Sequence, residues 1–183
     1  MTIAIFASGS GSNAENIVRY FRGKHGFLIL SNNRDAYVLE RARKLGVPTA
    51  VFTRRELNET DNVLQILQEN KIDFVVLAGF LLKIPLNLIA AYPNKIVNIH
   101  PALLPKYGGK GMYGHHVHEA VVANGETESG ISIHYVNEHY DEGSIIFQAK
   151  CAVLPTDTPE DVAGKVHRLE YEYFPQIIEK VIR

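Results

Sequence analysis

The chain has 183 residues, 46% of them hydrophobic, which is enough for a single domain over residues 1–183 that buries roughly two thirds of its unfolded surface. Nineteen Lys and Arg balance twenty Asp and Glu, for a formal charge of −1, and so exclude the strong positive field of a nucleic-acid wrapper or a polybasic membrane binder. The lone Cys151 excludes an internal disulfide and multi-cysteine metal sites, and residues 1–6 lack the basic start and length of a secretory leader, so a small-molecule ligand and a cytoplasmic setting are expected.

Residues 3–7 form a continuous apolar run, as a buried parallel strand requires, and feed Ser8-Gly9-Ser10-Gly11-Ser12-Asn13 before helical spacing begins at Ala14. Small residues let the backbone approach an anion, and the following helix supplies unpaired N–H groups, so Gly11, Ser12 and Asn13 are candidate phosphate ligands. Gly9, Gly11 and Ala14 also fit the dinucleotide pattern, but the strand at 27–30 runs into Ser31-Asn32-Asn33 without the expected acid, which favours a phosphate monoester over NAD. A tight turn with a Ser or Asn helix cap would use the same residues.

A helix is predicted over 35–45, ended by Gly46, then a strand over 47–52 and a polar loop at Thr53-Arg54-Arg55-Glu56 whose arginines are assigned no role. A helix over 62–69 and a buried strand over 74–77 follow. The apolar residues Leu81, Leu82, Ile84, Leu86, Leu88 and Ile89, just beyond that strand, suit the core first and a ligand wall second.

Residues 95–99 are β-rich, and Pro101 removes a backbone donor, so this strand stops at His100. Period-2 alternation puts Asn98 and His100 on one face at the strand's C-terminal end, where open α/β sheets bind ligands. An amide donor beside an imidazole can hold a developing oxyanion and move a proton, the services acyl transfer needs; a structural histidine at a strand end competes evenly with that assignment on these residues alone.

Gly108-Gly109-Lys110-Gly111-Met112-Tyr113-Gly114 is too glycine-rich for regular structure and reads as a loop or lid, with no role assigned to Lys110. His115, His116 and His118 begin a helix; His115 and His118 have a metal-pair spacing without an accompanying carboxylate motif, so a solvated helix is expected and no metal. Strands over 130–136 and 144–150, joined by a turn at Asp141-Glu142-Gly143, form an antiparallel hairpin. Thr158 caps a last helix from Pro159 to about Ile182, kinked or broken at Pro175. The alternation predicts an α/β fold: an open, mostly parallel doubly wound sheet, Rossmann-like, with helices on both faces and an antiparallel C-terminal hairpin.

With Asn98, His100 and Asp141 in this order, the chain resembles the glycinamide ribonucleotide formyltransferases of purine synthesis, of the short single-domain kind. The similarity spans nearly the whole chain, through residues 7–13, 98–105, 130–136 and 141–143. The resemblance implies catalytic roles for Asn98, His100 and Asp141, with Asp141 keeping His100 charged. It implies phosphate binding at Gly11, Ser12 and Asn13, ribose binding at Glu170, and an approach of His167 to the phosphate. It also implies that 10-formyltetrahydrofolate, the formyl donor, is held by Leu81, Leu82, Ile84 and the segment Val136, Asn137, Glu138, His139, Tyr140 and Asp141. The partners so implied are the two small molecules, with no metal, nucleic acid or membrane, and with a homodimer as an allowed assembly. The loop 107–114 looks longer than in many relatives. A formyltetrahydrofolate hydrolase and a non-catalytic nucleotide-binding module are the alternatives; the chain has no room for the former's regulatory domain, and the latter leaves the trio unexplained.

Overall fold

In a computed structural model of the chain, which describes residues 1–138 and 143–183, the opening apolar run becomes β1 (Thr2–Phe6), buried almost throughout. Around it lie α1 (Ser12–Tyr20), β2 (Gly26–Ser31), α2 (Tyr37–Leu45), β3 (Thr49–Val51), α3 (Arg54–Glu59), α4 (Asn62–Glu69), β4 (Phe74–Leu77) and α5 (Leu86–Ala91). The chain continues through β5 (Ile96–His100), α6 (His115–Ala123), β6 (Glu128–Tyr135), β7 (Ile145–Ala152) and α7 (Pro159–Val181). The strand order is β3-β2-β1-β4-β5-β6-β7 in a seven-stranded sheet. Two compact units divide the chain at Val97 and Asn98.

In the first unit, Met1–Val97, β1 pairs in parallel with β2 and with β4, and β2 with β3. Strands buried on both faces need unbroken apolar runs, and Ile3 to Phe6, Leu28 to Leu30 and Phe74 to Leu77 provide them. Phe6, Phe52 and Phe80 cluster with ring centroids 5.2–6.0 Å apart. The polar stretch expected as a loop at Thr53 is instead the start of α3. Thr53 Oγ1 accepts from the Glu56 N–H at 3.0 Å and Glu56 Oε1 accepts from the Thr53 N–H at 3.1 Å, so a capping box in T-R-R-E outweighs its polarity. Arg54 and Arg55 are exposed, and Arg55 pairs with Glu59 at 3.2 Å.

In the second unit, Asn98–Arg183, β6 and β7 pair antiparallel from Glu128↔Ala152 to His134↔Ile145, with a bulge between Ile133 and His134. Gly130 admits this approach, because a Cβ there would lie 1.9 Å from the Ala149 carbonyl oxygen. Helix α7 starts at a capping box between Thr158 and Asp161. It runs through Pro175 without ending, so of the kink or break expected there the break does not occur. Proline costs about 3 kcal/mol in a helix interior; burial of Val162, Val166, Phe174, Ile177 and Ile178 on the same helix, at about 1.5–3 kcal/mol each, exceeds that.

Candidate active site

One hydroxyl ties the loop after β1 to two other strand ends. Ser8 Oγ donates to Asn32 Oδ1 at 2.6 Å, after β2, and accepts from the Leu81 N–H at 3.0 Å, after β4. The chain then enters α1 at Gly11, which caps the helix in the left-handed region (φ 75°) without a side-chain cap bond. Helix α1 therefore starts at Ser12, two residues before the apolar spacing suggested, and the alternative of a Ser or Asn helix cap gives way to Gly11. The first intrahelical bond is donated by Glu15 to the Gly11 carbonyl at 2.9 Å. The N–H groups of Ser12, Asn13 and Ala14 thus stand ahead of the helical ladder, where a helix favours an anion. A Cβ on Gly11 would lie 2.2 Å from Val38 Cγ2, so this glycine also lets α1 approach α2. In the same unit Leu81 is 49% exposed, Leu82 half-buried, and Ile84 buried at 3%. Only the first two can present apolar surface to a ligand.

In the second unit the polar residues meet at the end of β5. Asn98 Nδ2 lies 3.2 Å from His134 Nε2, and His134 Nδ1 lies 2.9 Å from the Tyr135 carbonyl. A carbonyl can only accept, so the His134 proton belongs on Nδ1 and Nε2 accepts from the Asn98 amide. That orients the amide and leaves its second N–H for another acceptor. His100, 4% exposed, places Nε2 at 2.6 Å from the Tyr107 carbonyl, to which it donates. Tyr107 itself has φ 58° and anchors its hydroxyl on Glu126 at 2.9 Å.

The turn leaving β5 is clamped by Ser132. Its hydroxyl donates to the Ala102 carbonyl at 2.7 Å and accepts from the Leu104 N–H at 2.9 Å and from Gln148 Nε2 at 2.8 Å. Gln148 also donates to the Leu104 carbonyl at 3.0 Å. On α7, His167 Nδ1 donates to Glu170 Oε1 at 2.9 Å, and Glu170 is 6% exposed. The carboxylate beside His167 raises its pKa. His118 is not on a solvated face: it is 3% exposed, its ring 6.4 Å from that of His167, and burial pushes its pKa down to about 4. Among the described residues no group of three or more His, Cys, Asp or Glu could hold a metal ion. Val136 and Asn137 are half-buried and Glu138 exposed; His139, Tyr140 and Asp141 lie outside the described residues.

A model described as formyl transferase matches residues 1–178. The chain belongs to the formyl transferase family. The chloroplastic phosphoribosylglycinamide formyltransferase of Arabidopsis thaliana is 40% identical over 185 residues, covering 96% of this chain but 63% of the plant protein. The chain therefore spans less than two thirds of that relative's length. The phosphoribosylglycinamide formyltransferase of Haemophilus influenzae is 34% identical, covering 97% of this chain and 85% of its own. Among solved structures, that of the enzyme so named from Streptococcus pneumoniae superposes with a TM-score of 0.88 at 36% identity, covering 100% of this chain and 99% of the other. In this formyl transferase chain, sequence spacing paired Asn98 with His100 but missed His134, Ser132 and the Tyr107 carbonyl. The only signal for His134 was its period-2 relation to Ser132, which puts both on the face of β6 opposite Ile131 and Ile133.

Proposed function

We propose that the chain transfers a formyl group from 10-formyltetrahydrofolate to the amine of glycinamide ribonucleotide, a step of purine synthesis, in the cytoplasm and as a homodimer. The observation that carries this is the pairing of half-buried Asn98 with buried His100 at the end of β5, with the Asn98 amide turned by His134. The uncharged amine attacks the formyl carbon, negative charge gathers on the formyl oxygen, and the carbon–nitrogen bond to the folate then breaks. The second N–H of Asn98 and the His100 imidazolium donate to that oxygen as its charge grows. Asp141 keeps His100 charged and helps carry the surplus amine proton to the departing nitrogen. Gly11, Ser12 and Asn13 take the phosphate through backbone N–H groups, with His167 beside it and Glu170 on the ribose hydroxyls. Leu81 and Leu82 wall the pteridine, Ile84 supports them from the core, and residues 136–141 carry its polar edge.

The test is tetrahydrofolate release by the purified protein with and without the ribonucleotide. Release that requires the ribonucleotide supports the transferase, and release in water alone assigns a hydrolase. Asn98→Ala should lower kcat by about 10²–10³, as loss of an oxyanion donor does. His134→Leu should lower it by about tenfold with KM unchanged, since a misoriented amide weakens only the transition state. Sedimentation at micromolar concentration separates the dimer from a monomer.

A further inference from the structure

At the end of the sheet opposite the Gly11 loop, within the first unit, a cavity of about 590 Å³ opens beside the first residues of β1 and β2 and the last turns of α1 and α2. Its size falls in the range of small-molecule sites, about 300–1,000 Å³. We propose that this cavity binds an organic phosphate with a flat apolar body, of the nucleotide class, at a site separate from the Gly11 loop.

Charge identifies the anion. Arg19, Arg22 and Lys44 line the cavity and no acidic side chain does, although the chain as a whole carries −1. Arg19 and Lys44 stand where helices α1 and α2 end, and each helix terminus presents about half a negative charge. Those two half-charges offset one of three cations. Glu15 engages Arg19 at 3.8 Å but is shared with Arg41 at 3.3 Å. Arg22 has no ion-pair partner among the described residues. More than one positive charge is left over, in groups whose planar forks and ammonium match phosphate oxygens.

The walls identify the rest of the ligand. Phe27 and Leu45 contribute apolar surface, and the half-buried His25 ring, 5.3 Å from that of Phe21, offers a planar edge beside the cations. Inorganic phosphate would use only the cations; a nucleoside would use only the walls. A nucleotide uses both. Helix α1 joins the two ends of the unit, since its nine residues span about 13 Å from the Gly11 loop to Arg19.

The experiment is an amide ¹H–¹⁵N titration of the full chain with AMP, with adenosine and inorganic phosphate as separate probes. AMP should shift the amides of Gly23, Gly26 and Gly46 saturably, with a Kd below about 1 mM, and the affinity should fall with added salt. Arg22→Glu and Lys44→Glu, both at exposed positions, should each weaken that binding at least about tenfold, one charge-assisted contact's worth, and leave the formyl-transfer rate unchanged. Shifts confined to Gly9 and Gly11 would place AMP in the phosphate loop alone and overturn the proposal. Equal shifts with inorganic phosphate would reduce the cavity to an adventitious ion site only. Insensitivity to both charge reversals would also end it. Because the readout is binding at named amides, a failed transfer assay leaves this result standing, and the reverse.

Discussion

His118 and His167 are neighbours whose surroundings push them in opposite directions, and pH reads the difference. An unfolded histidine takes up a proton near 6.5, whereas His118 in the fold resists one until about 4, first because it is buried and then because His167 is charged nearby. Between pH 6.5 and 4 the unfolded chain therefore binds more protons at this position, and stability falls with falling pH, by up to about 3 kcal/mol. His167 has the contrary sign. Glu170 raises its value, so its contribution is complete below 6.5 and fades as pH rises through the raised value; at half exposure, solvent screening keeps it small. His118→Leu removes the titrating group and the buried Nδ1 that lacks a hydrogen-bond partner among the described residues. Melting curves at pH 5 and pH 7 should then lie closer together than those of the parent protein. An unchanged gap would assign the acid sensitivity to other groups. The spacing of His115 and His118 was plain in the sequence, but the burial of His118 was not, because spacing along α6 does not tell which face α7 covers.

Ser132 shows how an element can be set by a single side chain. Its hydroxyl satisfies two backbone groups of the turn after β5 and the Gln148 amide. Ser132→Ala would strand the buried Leu104 N–H, at a cost of about 1–3 kcal/mol. For a chain of this length that is a fall in Tm of roughly 2–4 °C per kcal/mol, readable by calorimetry, and a variant that melts with the parent would show that another acceptor replaces the hydroxyl. Most elements were legible from apolar runs and caps: β1, β2, β4, the hairpin and the start of α7 at Thr158 all follow their local signals. Others were not. Helix α5 is hidden in an apolar run that spacing could not divide between core and ligand wall, and α3 was lost because its polarity was weighed above its Thr53 and Glu56 box. Gly11 is legible as a glycine that phosphate binding could require, yet its φ and the nearness of Val38 require it as well. Gly11→Val would therefore disturb the α1–α2 packing before it reports on any ligand.

At the scale of the whole chain, the alternation of strands and helices was enough for the fold class, since parallel strands need crossovers and the hairpin does not. What it could not supply were the pairs made by distant segments. Asn98 meets His134 across 36 residues only because β6 lies beside β5 in the strand order, and no local pattern encodes that adjacency. In the first unit the order turns at β1, whose neighbours are β2 on one side and β4 on the other, so the loops after β1 and β4 leave a switch point of the kind where open sheets bind ligands. There Ser8 ties three strand ends together with one oxygen, and solvent exchange should sense it. The amides of Ala7, Ser8 and Ala78 are bonded to carbonyls of neighbouring chain segments, while that of Leu81 depends on the Ser8 hydroxyl. Ser8→Ala should leave deuterium uptake at Ala7 and Ala78 as slow as before, opening only with the unit, and speed uptake at Leu81 by about tenfold for each 1.4 kcal/mol of lost protection. If all of these amides quickened together, the hydroxyl would be the latch of the entire strand edge, and a single oxygen would set the slowest opening motion of the first ninety-seven residues.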